Sequence, residues 1–186
     1  MATSLNLEMV WKDLERASAT YNLGNISMMA YALCKAIKDH NPGLHVAYEA
    51  QWNKAGSQDP DLTVCSKGEL PQVLFMGLVC PLSDARGGMD QIVTILSQLI
   101  CQAQVAVPFN EDGGHGTSSR QLSVATQCEF GLVAVITRPM AEAIHSKLVP
   151  QLPPALQSRF HCVCIVQAAD RLGGAEFLYF PPGQPA

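Results

Sequence analysis

The sequence predicts an α/β (or α+β) fold, with a single mixed β-sheet of about five to seven strands, helices on its faces, and an N-terminal helical hairpin before the sheet. Two observations carry this prediction. The spacing of apolar residues alternates along the chain between the helical period of about 3.6 and the strand period of about 2. In addition, three short segments are apolar on both sides, which is typical of strands covered on both faces.

Length and composition limit the function classes. The chain has 186 residues, of which 48% are hydrophobic and 15% charged, so it is not an intrinsically disordered chain. We expect one α/β domain over residues 1–180 and a frayed, proline-rich tail over residues 181–186. The net charge of −4 provides no basic surface, so we expect no nucleic-acid partner. With no signal peptide and no long apolar run, we expect no membrane partner and a cytoplasmic protein.

Two helices open the chain. Apolar residues recur at helical spacing over residues 7–21 and again over residues 26–37. Asn41-Pro42-Gly43 ends the second helix, because proline cannot continue the hydrogen-bond ladder. We expect this hairpin to cover the protein's own sheet, and the alternative is that it packs against a second subunit.

The strands follow from alternation and from apolar runs. Residues 44–52 alternate, as do residues 122–128, and residues 177–180 resemble an edge strand. The central strands are expected at Val73–Cys80, Phe130–Ile136 and Phe160–Val166. Helices are expected over residues 89–103 and 139–148. The predicted core also includes Val46, Tyr48, Ile92, Leu96, Leu99 and Ile144.

The cysteines indicate a reducing compartment. Seven are present, the count is odd, no C-x-x-C occurs, and most lie in apolar runs, so we interpret them as buried free thiols. Cys162 and Cys164 would share one strand face. The alternative to core packing at this pair is a metal or redox site, but the spacing is not that of a structural zinc site. We therefore expect neither a metal nor a cofactor.

The first candidate ligand-binding segment is the loop after the first apolar strand, which leads into a helix. It contains Ser83, Asp84, Arg86, Gly87 and Gly88. Backbone N–H groups at a helix start favour an anion, glycine permits close approach, and arginine adds a bidentate contact. The alternative interpretation is structural: Ser83 or Asp84 caps the helix and the glycines form the turn.

A second loop occupies the equivalent position after the second apolar strand and contains Thr137 and Arg138, followed by Pro139. If the two strands are neighbours, Arg86 and Arg138 converge on one anionic ligand at the carboxyl ends of the strands. The alternative is that both are ordinary surface arginines.

The catalytic residues are unknown from the sequence. His115, Glu111 and Asp112 are weak candidates, because a histidine with two carboxylates in a glycine-rich loop can transfer protons. The alternative is a solvated surface loop. His161 lies between Phe160 and Cys162 in an apolar strand, and we expect it to be buried and hydrogen-bonded.

Two functions remain open. The favoured one is a non-catalytic subunit or adaptor that acts through protein–protein contacts, with a protein partner or as a homo-oligomer. The other is a small enzyme or sensor that binds a small anionic ligand at the Ser83–Gly88 and Thr137–Pro139 loops. An adaptor should present a wide apolar patch without a deep pocket, whereas a ligand-binding protein should present a concave site with converging polar groups.

Overall fold

The fold is a mixed β-sheet between two layers of helices. The computed structural model describes residues 5–20, 23, 26–48, 61–67, 71–81, 107–109, 120–152, 154–166 and 175–183. All structural statements below concern these residues. Among them, no helix is both long enough and apolar enough to cross a membrane.

The N-terminal hairpin consists of α1 (Leu7–Thr20) and α2 (Ile26–His40). Asn41, which directly follows α2, connects its two ends. The buried Asn41 side chain accepts a hydrogen bond from the Asn6 N–H at 2.8 Å and donates one to the Asn6 carbonyl at 3.3 Å. The start of α1 is therefore fixed to the end of α2, and both helices present their apolar faces to the sheet.

The sheet follows directly. Its described strands are β1 (Leu44–Tyr48), β2 (Leu62–Ser66), β3 (Gln72–Pro81), β4 (Val107–Phe109), β5 (Arg120–Ile136), β6 (Phe160–Val166) and β7 (Glu176–Phe180). The order across the sheet is β1-β2-β3-β5-β6-β7, and β4 pairs with the first part of β5. Strands β3, β5 and β6 are parallel to one another, and the other pairings are antiparallel.

Strand β5 is continuous for 17 residues, whereas the sequence predicts separate strands over residues 122–128 and 130–136. Its first part pairs with β4 and its second part lies between β3 and β6. Between the pairs Val73–Val124 and Phe75–Glu129, two steps along β3 correspond to five along β5. This irregularity marks the boundary between the two predicted strands, and the chain continues through it as one strand.

Each face of the sheet has its own core. The helical hairpin covers one face, as predicted, and packs on apolar side chains that include Phe75, Val79, Val133, Val163 and Ile165. The opposite face carries α3 (Arg138–Ala143), followed by a π-helical segment at Ile144–Leu148, a 3-10 turn at Val149–Gln151 and α4 (Pro154–Gln157).

The predicted central strands are confirmed, because β3, β5 and β6 occupy the middle of the described sheet and every residue of β6 is buried. Among the predicted core residues, Ile144 is buried and Val46 is half-buried. The prediction for Tyr48 is wrong. Its side chain is 36% exposed, because β1 is the outermost strand of the described sheet and Tyr48 is its last residue. The predictions for Ile92, Leu96 and Leu99 lie outside the described residues.

Residues 181–183, the first part of the predicted tail, follow β7. Gly183 adopts a positive φ of 75°, which glycine tolerates, and its N–H donates to the Gln157 carbonyl at 3.1 Å. The end of the described chain therefore lies against the end of α4.

Candidate functional site

A pocket of about 560 Å³ lies where the start of α1 crosses the edge of the sheet formed by β5, β6 and β7. Its volume falls in the range typical of small-molecule sites, roughly 300–1,000 Å³. The N-terminal segment and α1 form one wall and the three strands form the other. The lining residues are Leu5, Asn6, Leu7, Glu8, Trp11, Lys12, Glu15, Glu129, His161, Phe177 and Tyr179.

His161 is the centre of the polar floor of this pocket. It is the second residue of β6, and its side chain is 9% exposed. The Trp11 indole N–H donates to His161 Nδ1 at 3.3 Å, and the Tyr179 hydroxyl lies 2.9 Å from the same nitrogen. On the other side of the ring, His161 Nε2 lies 2.7 Å from Glu129 Oε2.

These contacts assign the tautomer of the imidazole. An indole N–H can only donate, so Nδ1 is the accepting nitrogen. Its one lone pair is shared by the Trp11 N–H and the Tyr179 O–H, and the Trp11 N–H also bonds to the Tyr179 hydroxyl oxygen. Nε2 therefore carries the proton and donates to the Glu129 carboxylate. The prediction that His161 is buried and hydrogen-bonded is confirmed.

Glu129 keeps one carboxylate oxygen available to the pocket. Its side chain is 36% exposed, and within the described residues only Oε2 makes a hydrogen bond, to His161. Burial, and then the negative charges of Glu129 and Glu8, raise the pKa of the Tyr179 hydroxyl to about 12. Tyr179 is therefore a neutral phenol at physiological pH, and it does not act as a phenolate base.

Two glycines create the space beneath this cluster. Gly77 on β3 and Gly131 on β5 face each other in register, and the ring of the fully buried Phe75 covers both. A Cβ at Gly131 would lie 2.5 Å from Phe75 Cζ, and one at Gly77 would lie 2.9 Å from Cε1. Trp11 packs on this ring with the centroids 6.4 Å apart. Because neither glycine has a Cβ, the Phe75 ring can lie over both of them. The ring in turn supports Trp11 beside His161.

The structure describes only part of the two loops that the sequence predicts to bind an anion. Thr137 and Arg138 are exposed at the carboxyl end of β5, where Arg138 forms an ion pair with Glu176 and the Thr137 carbonyl accepts from the first turn of α3. Ser83, Asp84, Arg86, Gly87 and Gly88 lie outside the described residues, as do Glu111, Asp112 and His115. Strands β3 and β5 are parallel neighbours, which is the arrangement that the predicted convergence of Arg86 and Arg138 requires.

The pocket and the described loop, Thr137–Pro139, lie at opposite ends of the parallel strands. Thr137 follows the last residue of β5, whereas His161 lies at the start of β6 and Glu129 at the start of the β5–β6 pairing. Sequence reasoning did not include Glu129 in any site. The available signal was that Glu129 directly precedes the apolar run Phe130–Ile136 and that His161 is the second residue of the apolar strand Phe160–Val166, since buried polar groups require partners.

The described cysteines are packing residues. Cys34, Cys65, Cys128, Cys162 and Cys164 are free thiols, and all except the half-buried Cys34 are buried. The sulfurs of Cys162 and Cys164 are 3.8 Å apart on one face of β6, as predicted. Among the described residues, no group of three or more His, Cys, Asp or Glu side chains is placed to hold a metal ion.

The Cys128 thiol should resist alkylation in the folded protein. Burial raises the pKa of this thiol to about 12, so at pH 8 only about one molecule in ten thousand carries the reactive thiolate. We expect iodoacetamide to modify Cys128 at least about 100-fold more slowly in the native chain than in urea, measured by peptide mass spectrometry. Equal rates in the two conditions would contradict the burial of Cys128.

Comparisons of the chain with models of protein families, with curated proteins and with solved structures gave no match. Function is therefore inferred from the geometry of the chain's own residues.

Proposed function

We propose that the protein is a small-molecule-binding α/β domain whose site is the pocket above His161. The observation that carries this proposal is the convergence of Glu129, His161, Tyr179 and Trp11, from four different elements, on one concavity of about 560 Å³. A concave site with converging polar groups is the feature that distinguishes a ligand-binding protein from an adaptor.

The geometry favours binding over acid–base catalysis at His161. Both ring nitrogens are engaged: Nδ1 accepts from Trp11 and Tyr179, and Nε2 donates to Glu129. A general base needs a free lone pair within hydrogen-bond reach of its substrate. The imidazole instead holds Glu129 and Tyr179 in fixed positions, which lowers the entropic cost of binding a ligand.

The test uses Trp11 as a reporter inside the pocket. The chain has two tryptophans, so a Trp52→Phe variant leaves Trp11 as the only one. We would screen cationic, neutral and anionic aromatic fragments against this variant and follow the Trp11 indole N–H resonance and its fluorescence. We expect at least one fragment to shift the indole resonance in a saturable manner, because the indole N–H borders the pocket.

The screen can also overturn the proposal. If no fragment of any charge perturbs Trp11 at about 10 mM, a concentration at which even a millimolar Kd would be detected, the pocket is not a ligand site. Fragments that bind with saturation but leave Trp11 unperturbed would place the ligand site elsewhere.

A second candidate function is protein binding through α2, in line with the adaptor favoured by the sequence. Tyr31 is 67% exposed and Met28 is 48% exposed on the outer face of this helix. They border a groove of about 600 Å³ between α1 and α2. Exposed tyrosine and methionine are frequent at interfaces, because they provide contact area without a charge.

Native mass spectrometry tests this second candidate function for the case in which the protein partner is another copy of the same chain. A mass at a multiple of 20.0 kDa that reverts to the monomer in a Tyr31→Ser variant would support self-association through α2. An oligomer that this substitution leaves unchanged would exclude α2 as its interface.

We propose the cytoplasm as the compartment, which the five described free thiols support. Anion binding at the Ser83–Gly88 and Thr137–Pro139 loops stays a proposal as well. The parallel pairing of β3 and β5 supports it, whereas the ion pair of Arg138 with Glu176 competes with it.

A further inference from the structure

We propose that the ligand of this pocket is an organic cation, specifically a primary ammonium carried on an aromatic body. This inference rests on the proposed function and adds the chemical class of the ligand. It follows from three features of the pocket: the hydrogen-bonding capacity left on its floor, its charge balance and its aromatic walls.

The floor of the pocket, formed by Trp11, Glu129, His161 and Tyr179, has its donors engaged and an acceptor left over. The Trp11 N–H and the Tyr179 O–H share the lone pair of His161 Nδ1, the Trp11 N–H also bonds to the Tyr179 oxygen, and the His161 N–H donates to Glu129. Among these four side chains, the carboxylate oxygen Glu129 Oε1 is the acceptor that is left. A ligand that satisfies this floor must donate hydrogen bonds, and an ammonium group has three donors and no acceptor.

The charge balance of the lining favours the same class. Glu8, Glu15 and Glu129 line the pocket together with one cation, Lys12. Lys12 is already paired with Glu8 at 2.6 Å, whereas Glu15 has no ion-pair partner among the described residues. Within the described part of the chain, Glu15 and Glu129 therefore form no ion pair with a lysine or arginine, and these two carboxylates attract a cation and repel an anion.

His161 holds the Glu129 carboxylate in the position that a contact with an ammonium group requires. It holds Oε2 at 2.7 Å and is itself held by Trp11 and Tyr179, so the carboxylate need not reorganise when a ligand arrives. A charge-assisted hydrogen bond from an ammonium to a fixed carboxylate is stronger than a bond between neutral groups. The fixed position of the Glu129 carboxylate also makes the pocket selective among ligands, because the donor group of the ligand must reach Oε1.

The aromatic side chains that line the pocket are the reason for proposing that the ammonium group is carried on an aromatic body. Phe177 and Tyr179 of β7 line the pocket and are half-exposed, and Trp11 contributes the edge of a ring that is otherwise buried. Rings of this kind bind apolar and aromatic groups, and their faces attract cations. The combination of carboxylates and aromatic rings is typical of sites for organic ammonium ions.

The experiment compares three probes of nearly equal size and shape: 2-phenylethylamine as its ammonium ion, 2-phenylethanol and phenylacetate. Binding to the 186-residue chain is measured by isothermal titration calorimetry at neutral pH and located by the Trp11 indole resonance. We expect the amine to bind at least about tenfold more tightly than the alcohol, and the acid to bind more weakly than either.

A matched pair of substitutions tests the role of Glu129. Glu129→Gln removes the charge but keeps an acceptor for His161, and we expect it to weaken amine binding by at least about tenfold. The control is Glu142→Gln, which removes the same charge from an exposed site on α3. The control should bind the amine as the parent does, and an unchanged far-UV circular dichroism spectrum of the free proteins would show that both variants keep the fold.

Three other outcomes would each overturn the proposal that the ligand is an organic cation. Equal affinities for amine and alcohol at Trp11, or preferential binding of phenylacetate, would overturn the cationic class and leave the proposed function intact. Amine binding that Glu129→Gln does not weaken would also overturn this inference. If none of the three probes nor any screened fragment perturbs Trp11, the inference and the proposed function fail together.

Discussion

Trp11→Ala should lower the free energy of unfolding by about 3–5 kcal/mol, because it removes a large buried ring that no neighbour can replace. Trp11 is 3% exposed and packs on Phe75, His161 and Tyr179, with ring centroids 5.7 to 6.4 Å away. Its ring also connects α1 to His161 of β6 and Tyr179 of β7. Urea unfolding followed by circular dichroism measures the loss without depending on tryptophan fluorescence.

Trp11→Phe serves as the matched variant. It keeps an aromatic ring against Phe75 but removes the N–H that donates to His161, and we expect a smaller loss than that of Trp11→Ala. If Trp11→Ala stays within about 1 kcal/mol of the parent, α1 does not depend on this contact.

The second large effect is expected at Phe75. Phe75→Ala should cost about 3–5 kcal/mol, since this fully buried ring fills the space above Gly77 and Gly131. In the parent, Gly131→Ala should cost about 1–3 kcal/mol, because the new methyl group would lie 2.5 Å from the ring. In the Phe75→Ala background the same methyl group has room, so the two changes should cost much less together than the sum of their separate costs.

Gly43→Ala is the control for this cycle, because a Cβ at Gly43 has no atom within 4 Å. We expect it to change the free energy of unfolding by less than about 0.5 kcal/mol. Additive costs for Phe75→Ala and Gly131→Ala would contradict the packing of the ring over the glycine pair.

Much of the fold could be predicted because the strongest patterns were local. Apolar residues at helical spacing identified α1, and the fully apolar runs identified β3, β6 and the second part of β5 as the centre of the sheet. Tyr48 shows the limit of such patterns. Alternation predicts which residues share a face, but it does not indicate that the strand lies at an edge, where the last side chain is left uncovered.

The candidate site could not be predicted in the same way, because it depends on register between distant segments. Glu129 and His161 are 32 residues apart, and they meet because Gly131 pairs with His161 across β5 and β6. Trp11 completes the cluster from 150 residues away. Local periodicity contains no information on either distance. The only local sign was a polar residue beside each apolar run, Glu129 before Phe130–Ile136 and His161 in Phe160–Val166.

The bond between Trp11 and His161 also has a consequence for synthesis of the chain. The ribosome releases α1 well before β6 and β7, on which Trp11 packs, because Trp11 precedes His161 by 150 residues. Contacts between segments that are far apart in sequence form late, since closing a long loop is entropically costly. The part of the α1 apolar face that packs on β6 and β7 therefore stays uncovered until these strands emerge, and a nascent chain stalled before β6 presents it to chaperones.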